Sequence, residues 1–159
     1  MQIEPDQFRH VLGHLPTGVT VITANTPGGP VGLSANSVTS VSLEPPLILV
    51  CPAKTSETWP LIRGAGRFCV NVMARHHEPT VRRFAVRGID RFEGTTHHDR
   101  GFGPALDDAI AWIDCELLHE HDAGDHTIAV CSVAGLEPAG DGEPLVFFRG
   151  VYGTFCQYE

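Results

Sequence analysis

The residues best suited to chemistry are concentrated between Val31 and Thr58, read as VGLSANSVTSVSLEPPLILVCPAKTSET. Ser34, Asn36, Ser37, Thr39, Ser40 and Ser42 supply hydroxyls and one amide with almost no charge, a set that suits a neutral ligand edge rich in hydrogen-bond sites. The same residues equally suit a Ser/Thr-rich strand whose hydroxyls serve caps and local backbone bonds. At its end, Lys54-Thr55-Ser56 precedes a helix expected through Trp59, Leu61 and Ile62. One cation, two hydroxyls and the N–H groups of a helix start form a phosphate seat, and plain capping by Thr55 or Ser56 explains the same residues. A second candidate lies far along the chain. His126 follows a Gly124-Asp125 turn at the start of a strand, where its ring is placed to hydrogen-bond a ligand or handle a proton near neutral pH, or simply to hold the turn.

Other chemistries are excluded or weakened. There is no GxSxG elbow, no GxGxxG after a strand and no P-loop lysine motif, so neither an α/β-hydrolase nor a Rossmann nucleotide site is supported. The nine histidines include His76-His77, His97-His98 and His119-Glu120-His121. No HExxH and no third ligand accompanies them, so they are read as surface histidines and no metal site is expected. Five cysteines form no CxxC pair. Their odd number and their apolar surroundings point to buried free thiols in a reducing, cytoplasmic setting.

The elements that must position these groups follow from local pattern. The chain has 159 residues with 42% hydrophobic and 19% charged content, the profile of one ordinary globular domain spanning residues 1–159. No apolar run approaches the roughly 18 to 20 residues of a spanning helix, and the start MQIEPDQF has no signal-peptide character. A net charge of -8 argues against a nucleic-acid binder. A short helix capped by Asp6 is expected through Phe8, Val11 and Leu12. Strands are expected over 18–24, 31–37, 47–51, 67–73, 109–121, 126–136, 145–148 and 151–155, with helices after Ser56 and over 78–86. In strand 67–73, Cys69, Asn71 and Met73 share one face and Phe68, Val70 and Val72 the other. Residues 88–104 read as an unusually long loop, functional or packed on a partner. Hairpins joined by turns such as Asn25–Pro30 and Asp122–Asp125 predict a mainly β, antiparallel fold, a closed barrel with short helices outside, which the alternation alone does not separate from a β-sandwich.

Four ordered segments resemble the short-chain flavin reductases of two-component flavin-dependent monooxygenases. They are FRHVLGHLPTGVTVITA, GLSANSVTSVSLEPPLILVC, KTSETWPLIRGAGRFCVNVM, and GDHTIAVCSV followed by PLVFFRGVYG. The resemblance covers about Phe8 to Gly153. It implies a six-stranded FMN-binding split β-barrel, Greek-key-like, acting as a homodimer with flavin near the subunit interface. It implies that Ser34, Ala35, Asn36 and Ser37 line the isoalloxazine ring. Ser40, Cys51, Pro52, Ala53, Lys54, Ser56 and Thr58 then approach the ribityl chain and phosphate. Arg83 and Phe84, or Arg91 and Phe92, close the site; His126 contacts nicotinamide or flavin, and Tyr152 lies at the same mouth. The implied activity is reduction of FMN or FAD by NADH or NADPH, with reduced flavin passed to a separate oxygenase. A non-catalytic FMN carrier on the same barrel is the alternative.

Overall fold

The computed structural model describes residues 3–158. Three α-helices and twelve strands follow in the order α1 (Pro5–Leu12), β1 (Thr17–Gly18), β2 (Thr20–Thr26), β3 (Gly29–Ala35), β4 (Thr39–Leu43), β5 (Pro46–Val50), α2 (Trp59–Ala65), β6 (Arg67–Val72), α3 (Glu78–Phe84), β7 (His97–Asp99), β8 (Pro104–Leu106), β9 (Ala111–Ala123), β10 (His126–Pro138), β11 (Val146–Phe148) and β12 (Val151–Gly153). The expected helix start at Asp6 moves back by two residues. Glu4 is the N-cap and Pro5 takes the first helical position, where its missing N–H leaves no bond unmade.

Seven strands form one antiparallel sheet in the order β3-β2-β6-β9-β10-β5-β4. That is one more than the resemblance implies, with the short β4 at an edge. Side chains from both ends of this sheet meet in one core. Ile22 and Ala24 of β2, Ile48 and Val50 of β5, Phe68 and Val70 of β6, Cys115 of β9, and Ala129 and Cys131 of β10 belong to a single buried cluster. A flat sheet cannot bring β2 and β5 together across three intervening strands, so the sheet is curled around this core. α2 adds Trp59 and Ile62 to the cluster, and each such side chain contributes about 1.5–3 kcal/mol by leaving water. Burial pushes the Cys69 and Cys131 thiols up to about 12, which leaves them unreactive.

The period-two pattern of the strands sends alternate residues outward. Val21 of β2 and Met73, just past β6, pack with Val81 and Phe84 of α3, Leu106 of β8 and Leu145 in a second core on the outer face of the sheet. Cys69, Asn71 and Met73 thus share a face, as the alternation predicts. Asn71 is buried among polar partners. Its amide N–H group donates to Val21 O and Thr23 Oγ1, and its Oδ1 accepts from the Leu106 N–H.

Residues 88–104 are not one open loop. β7 and β8 pair as a hairpin, and Ala105 and Leu106 are fully buried. Thr23 Oγ1 donates to Pro104 O at 2.6 Å. Arg100 reaches back to the buried Asp114 carboxylate at 2.9 Å and also pairs with Glu137; these bonds hold its guanidinium well above its ordinary value. Gly103 is required here, since a Cβ would meet Thr23 O at 2.4 Å.

Candidate functional site

The longest hairpin sets the position of His126. β9 and β10 are joined by the two-residue turn Gly124-Asp125, with His126 paired to Ala123. Gly124 takes φ +70°, which glycine adopts without steric cost in a tight hairpin. The start of β10 is then stitched to the segment after β5. The Lys54 N–H donates to Asp125 O at 2.9 Å, the Thr127 N–H donates to Pro52 O at 3.0 Å, and Ala53 and His126 form a bridge. On the ring itself, Nδ1 lies 2.7 Å from Asp125 Oδ1. That contact holds the Asp125 carboxyl below the usual carboxylate range. It favours the Nδ1–H tautomer, which leaves Nε2 free.

The hydroxyl-rich segment meets the same place from the other side. Beyond β3, Ser37 Oγ accepts from the Cys51 N–H at 3.0 Å and donates to Cys51 O at 3.3 Å. This pins the segment between β3 and β4 to the end of β5. Thr20 Oγ1 ties the end of β3 to β2 through Ala35 O at 2.7 Å. Downstream, Ser56 Oγ accepts from the Trp59 N–H at 3.0 Å, so Ser56 serves the turn into α2 while keeping its own proton to donate. α2 is fixed in turn by Glu120, which accepts from Trp59 Nε1 and pairs with Arg63, both at 2.9 Å.

The result is a cavity of about 510 Å³ lined by residues 33–37, 51–53, 55–58, Phe84, Ala85, Arg87, Arg91 and His126. Phe84 forms a wall by packing on β3 where Gly32 leaves room; a Cβ there would fall 2.6 Å from the ring. Positive charge enters from the segment after α3. Arg91 donates through Nη1 to Gly32 O and Thr58 Oγ1 and through Nε to Val86 O, at 2.7 to 2.9 Å. Arg87 donates to Thr55 O at 2.9 Å. Burial and the like charge of Arg87 hold the Arg91 guanidinium below its ordinary value, with Glu57 opposing. Burial raises the Cys51 thiol, so this cysteine is a wall and not a nucleophile.

Of the residues singled out in the sequence, Ser34, Ala35, Asn36, Ser37, Cys51, Pro52, Ala53, Ser56, Thr58, Phe84 and His126 converge here. Five do not line the cavity of this chain. Ser40 is exposed on β4 opposite Ile48. Lys54 turns its amine away to Asp122. Arg83 is bound to Asp90 O and Glu93. Phe92 stacks edge-on against Phe84 and His97. Tyr152 packs on Phe147 beneath Arg82, on the outer core. Arg87 and Arg91, and not Lys54, are the cations that line the cavity. Arg87 escaped the sequence reading as a site residue. The four-residue spacing of Arg83, Arg87 and Arg91 was the available signal, but α3 ends at Phe84 and Gly88 turns the chain.

A family model, the flavin reductase like domain, matches residues 12–155. The chain belongs to the flavin reductase like family. The reductase subunit HsaB of a flavin-dependent monooxygenase from Rhodococcus jostii is 45% identical over 151 residues, covering 94% of this chain and 77% of that protein. The crystal structure of a nitrilotriacetate monooxygenase component B homologue from Mycobacterium thermoresistibile aligns with TM-score 0.91 at 38% identity, covering 97% of this chain and 92% of the other. The NADH:FAD oxidoreductase SgcE6 of Streptomyces globisporus C-1027, solved with NAD and FAD fragments, aligns with TM-score 0.88 at 32% identity, covering 98% and 97%. The curled antiparallel sheet is therefore the split barrel of flavin reductases. Among the described residues of this flavin reductase, no group of three or more His, Cys, Asp or Glu is placed to hold a metal ion, and no helix is long and apolar enough to cross a membrane.

Proposed function

We propose that this flavin reductase oxidises NADH or NADPH, reduces a flavin, and supplies the reduced flavin to a separate monooxygenase. The observation that carries the reading is the pairing, in one cavity, of a neutral hydroxyl-and-amide wall with a histidine anchored by Asp125. A tricyclic flavin ring suits that wall. Ser34 and Asn36 make no side-chain hydrogen bond with the described residues and offer their groups to the ring's polar edge. Ser56, Thr58, Arg87 and Arg91 gather at the phosphate end. A flavin held there would supply the hydride acceptor, N5, for nicotinamide C4, and the chain's task is to hold the two rings in contact.

His126 is assigned to the nicotinamide. With Nδ1–H directed to Asp125, its Nε2 accepts from the carboxamide N–H of the donor and orients the ring. No carboxylate base is needed, and Glu57 is the one acidic residue that lines the cavity. Relatives named as reductases favour the catalytic reading over a flavin carrier. The reading includes a homodimer and leaves FMN and FAD both as acceptors. The test is anaerobic mixing of the protein with NADH and FMN or FAD. Steady loss of nicotinamide absorbance with bleaching of the flavin is the expected result; a yellow protein that consumes no NADH or NADPH overturns it.

A further inference from the structure

Residues 55–58 of the cavity wall form an arch whose feet both stand on one hairpin. The near foot is the stretch 52–54, stitched to the start of β10. There the Lys54 N–H donates to Asp125 O, the Thr127 N–H donates to Pro52 O, and Ala53 is bridged to His126. The far foot is Trp59, the first residue of α2. Its indole Nε1–H donates to Glu120 Oε1 at 2.9 Å, and Glu120 Oε2 pairs with Arg63 Nε at 2.9 Å. Glu120 lies on β9, in the same hairpin as His126. The helix cannot set this register alone. α2 has seven residues, too few to be stable by itself in water. Thr58 at its N-cap makes no capping bond, and its hydroxyl accepts from Arg91 instead. Burial of Trp59 and Ile62 in the core sets how deep the helix lies, but burial has no direction. The indole N–H bond has one, and it decides where the ring sits along β9. The Glu120 side chain is only 25% exposed, so water competes weakly for that bond. Lys54 and Asp122, the other side-chain pair between this segment and the hairpin, are both exposed, and such a pair holds little.

We infer that Glu120 is a positioning residue for hydride transfer: through Trp59 it holds the 55–58 wall in register with His126. The inference rests on the flavin reductase reading of this cavity, in which the wall holds the flavin and His126 the nicotinamide. Hydride transfer needs its reacting atoms about 3–3.5 Å apart, and a misplacement of about 1 Å costs about a hundredfold. Binding tolerates more, because each ring keeps its own contacts when the two walls shift against each other. Glu120 does not line the cavity. Its loss therefore falls on the rate of transfer and not on either affinity.

Anaerobic stopped-flow reduction of FMN by NADH tests this, with the limiting rate read separately from the affinities for FMN and NADH. Glu120→Asp keeps the charge but retracts the carboxylate by one methylene from Trp59. It is expected to slow transfer about tenfold, with both affinities within about threefold of the parent. Glu120→Gln keeps the reach and the acceptor for the indole N–H, and its rate is expected within about threefold of the parent. Lower melting temperatures in the two variants with transfer rates unchanged show a purely structural tie and overturn the inference. So does a glutamine variant as slow as the aspartate one, which would take Trp59 out of the path. A loss that appears wholly as weaker FMN binding also overturns it. A parent that reduces no flavin would instead overturn the flavin reductase reading of the cavity.

Discussion

At the scale of single residues, the site depends on a histidine whose role is set by its neighbours. His126 is held by a carboxylate next to it in sequence and by backbone bonds from a segment more than seventy residues earlier. His126→Ala is expected to lower kcat/KM for NADH by about ten- to a hundredfold, as when one partner of a desolvated hydrogen bond is removed at a cost of about 1–3 kcal/mol. Flavin affinity, set by residues 34–37 and the arginines, should change by less than about threefold. Stopped-flow reduction and a flavin titration measure the two separately; equal loss in both would move His126 to the flavin. The hydroxyl wall and His126 were legible in the sequence because each is a local cluster of chemistry. The fate of Lys54 was not. Its partner Asp122 is 68 residues away, and the pairing exists only because the register of β9 and β10 brings that turn beside residue 54.

At the scale of elements, strands with clean alternation were readable and the β7–β8 hairpin was not. His97–Leu106 carries three charged or titratable side chains on its first strand and glycines at 101 and 103. It is held by distant groups, with Thr23 bonded to Pro104 and Asp114 to Arg100, contacts that no local pattern announces. The turn into α3 shows the same dependence with a measurable consequence. His77 Nδ1 accepts from the Ala74 N–H at 3.1 Å, and Nε2–H donates to Asp107 O at 3.2 Å. The first bond requires the neutral ring, since a protonated Nδ1 has no lone pair to accept with; the second is available to either form. Burial, then the neighbouring His76, holds its pKa below the ordinary value. The unfolded chain, with an ordinary histidine near about 6.5, therefore binds more protons as pH falls below that value, and the stability His77 confers is lost from there down to its folded pKa. His77→Gln should cost about 1–2 kcal/mol at neutral pH, and the gap between parent and variant should narrow in acid. Urea unfolding at successive pH values measures it; a gap independent of pH would show that His77 titrates alike in both states. Because α3 supplies Phe84 and leads to Arg87 and Arg91, the same turn positions one wall of the cavity that holds His126.

At the scale of the whole molecule, the barrel buries its own core and still leaves apolar side chains together at its N-terminal side. Phe8 and Val11 of α1 and Leu15 just after it are between 56% and 62% exposed, and Phe148, Val151 and Phe155 between 40% and 62%. These two groups are neighbours. The Arg149 N–H donates to Gly13 O at 2.8 Å, and the His14 ring meets Phe148 edge-on at 6.3 Å. Solitary proteins rarely expose apolar patches beyond a few hundred Å², and the cost of hydrating six large side chains is removed if two copies cover each other's face by a twofold axis. The net charge of -8 opposes association only weakly at physiological salt, where screening acts over about 8 Å. Light scattering on the parent is expected to give twice the chain mass. Val11→Asp places a charge on this face, at a position already open to water in the single chain, so it should lower the mass toward that of one chain without lowering the secondary-structure signal. A parent that runs as one chain at micromolar concentration would remove the pairing and leave the exposed face to another partner.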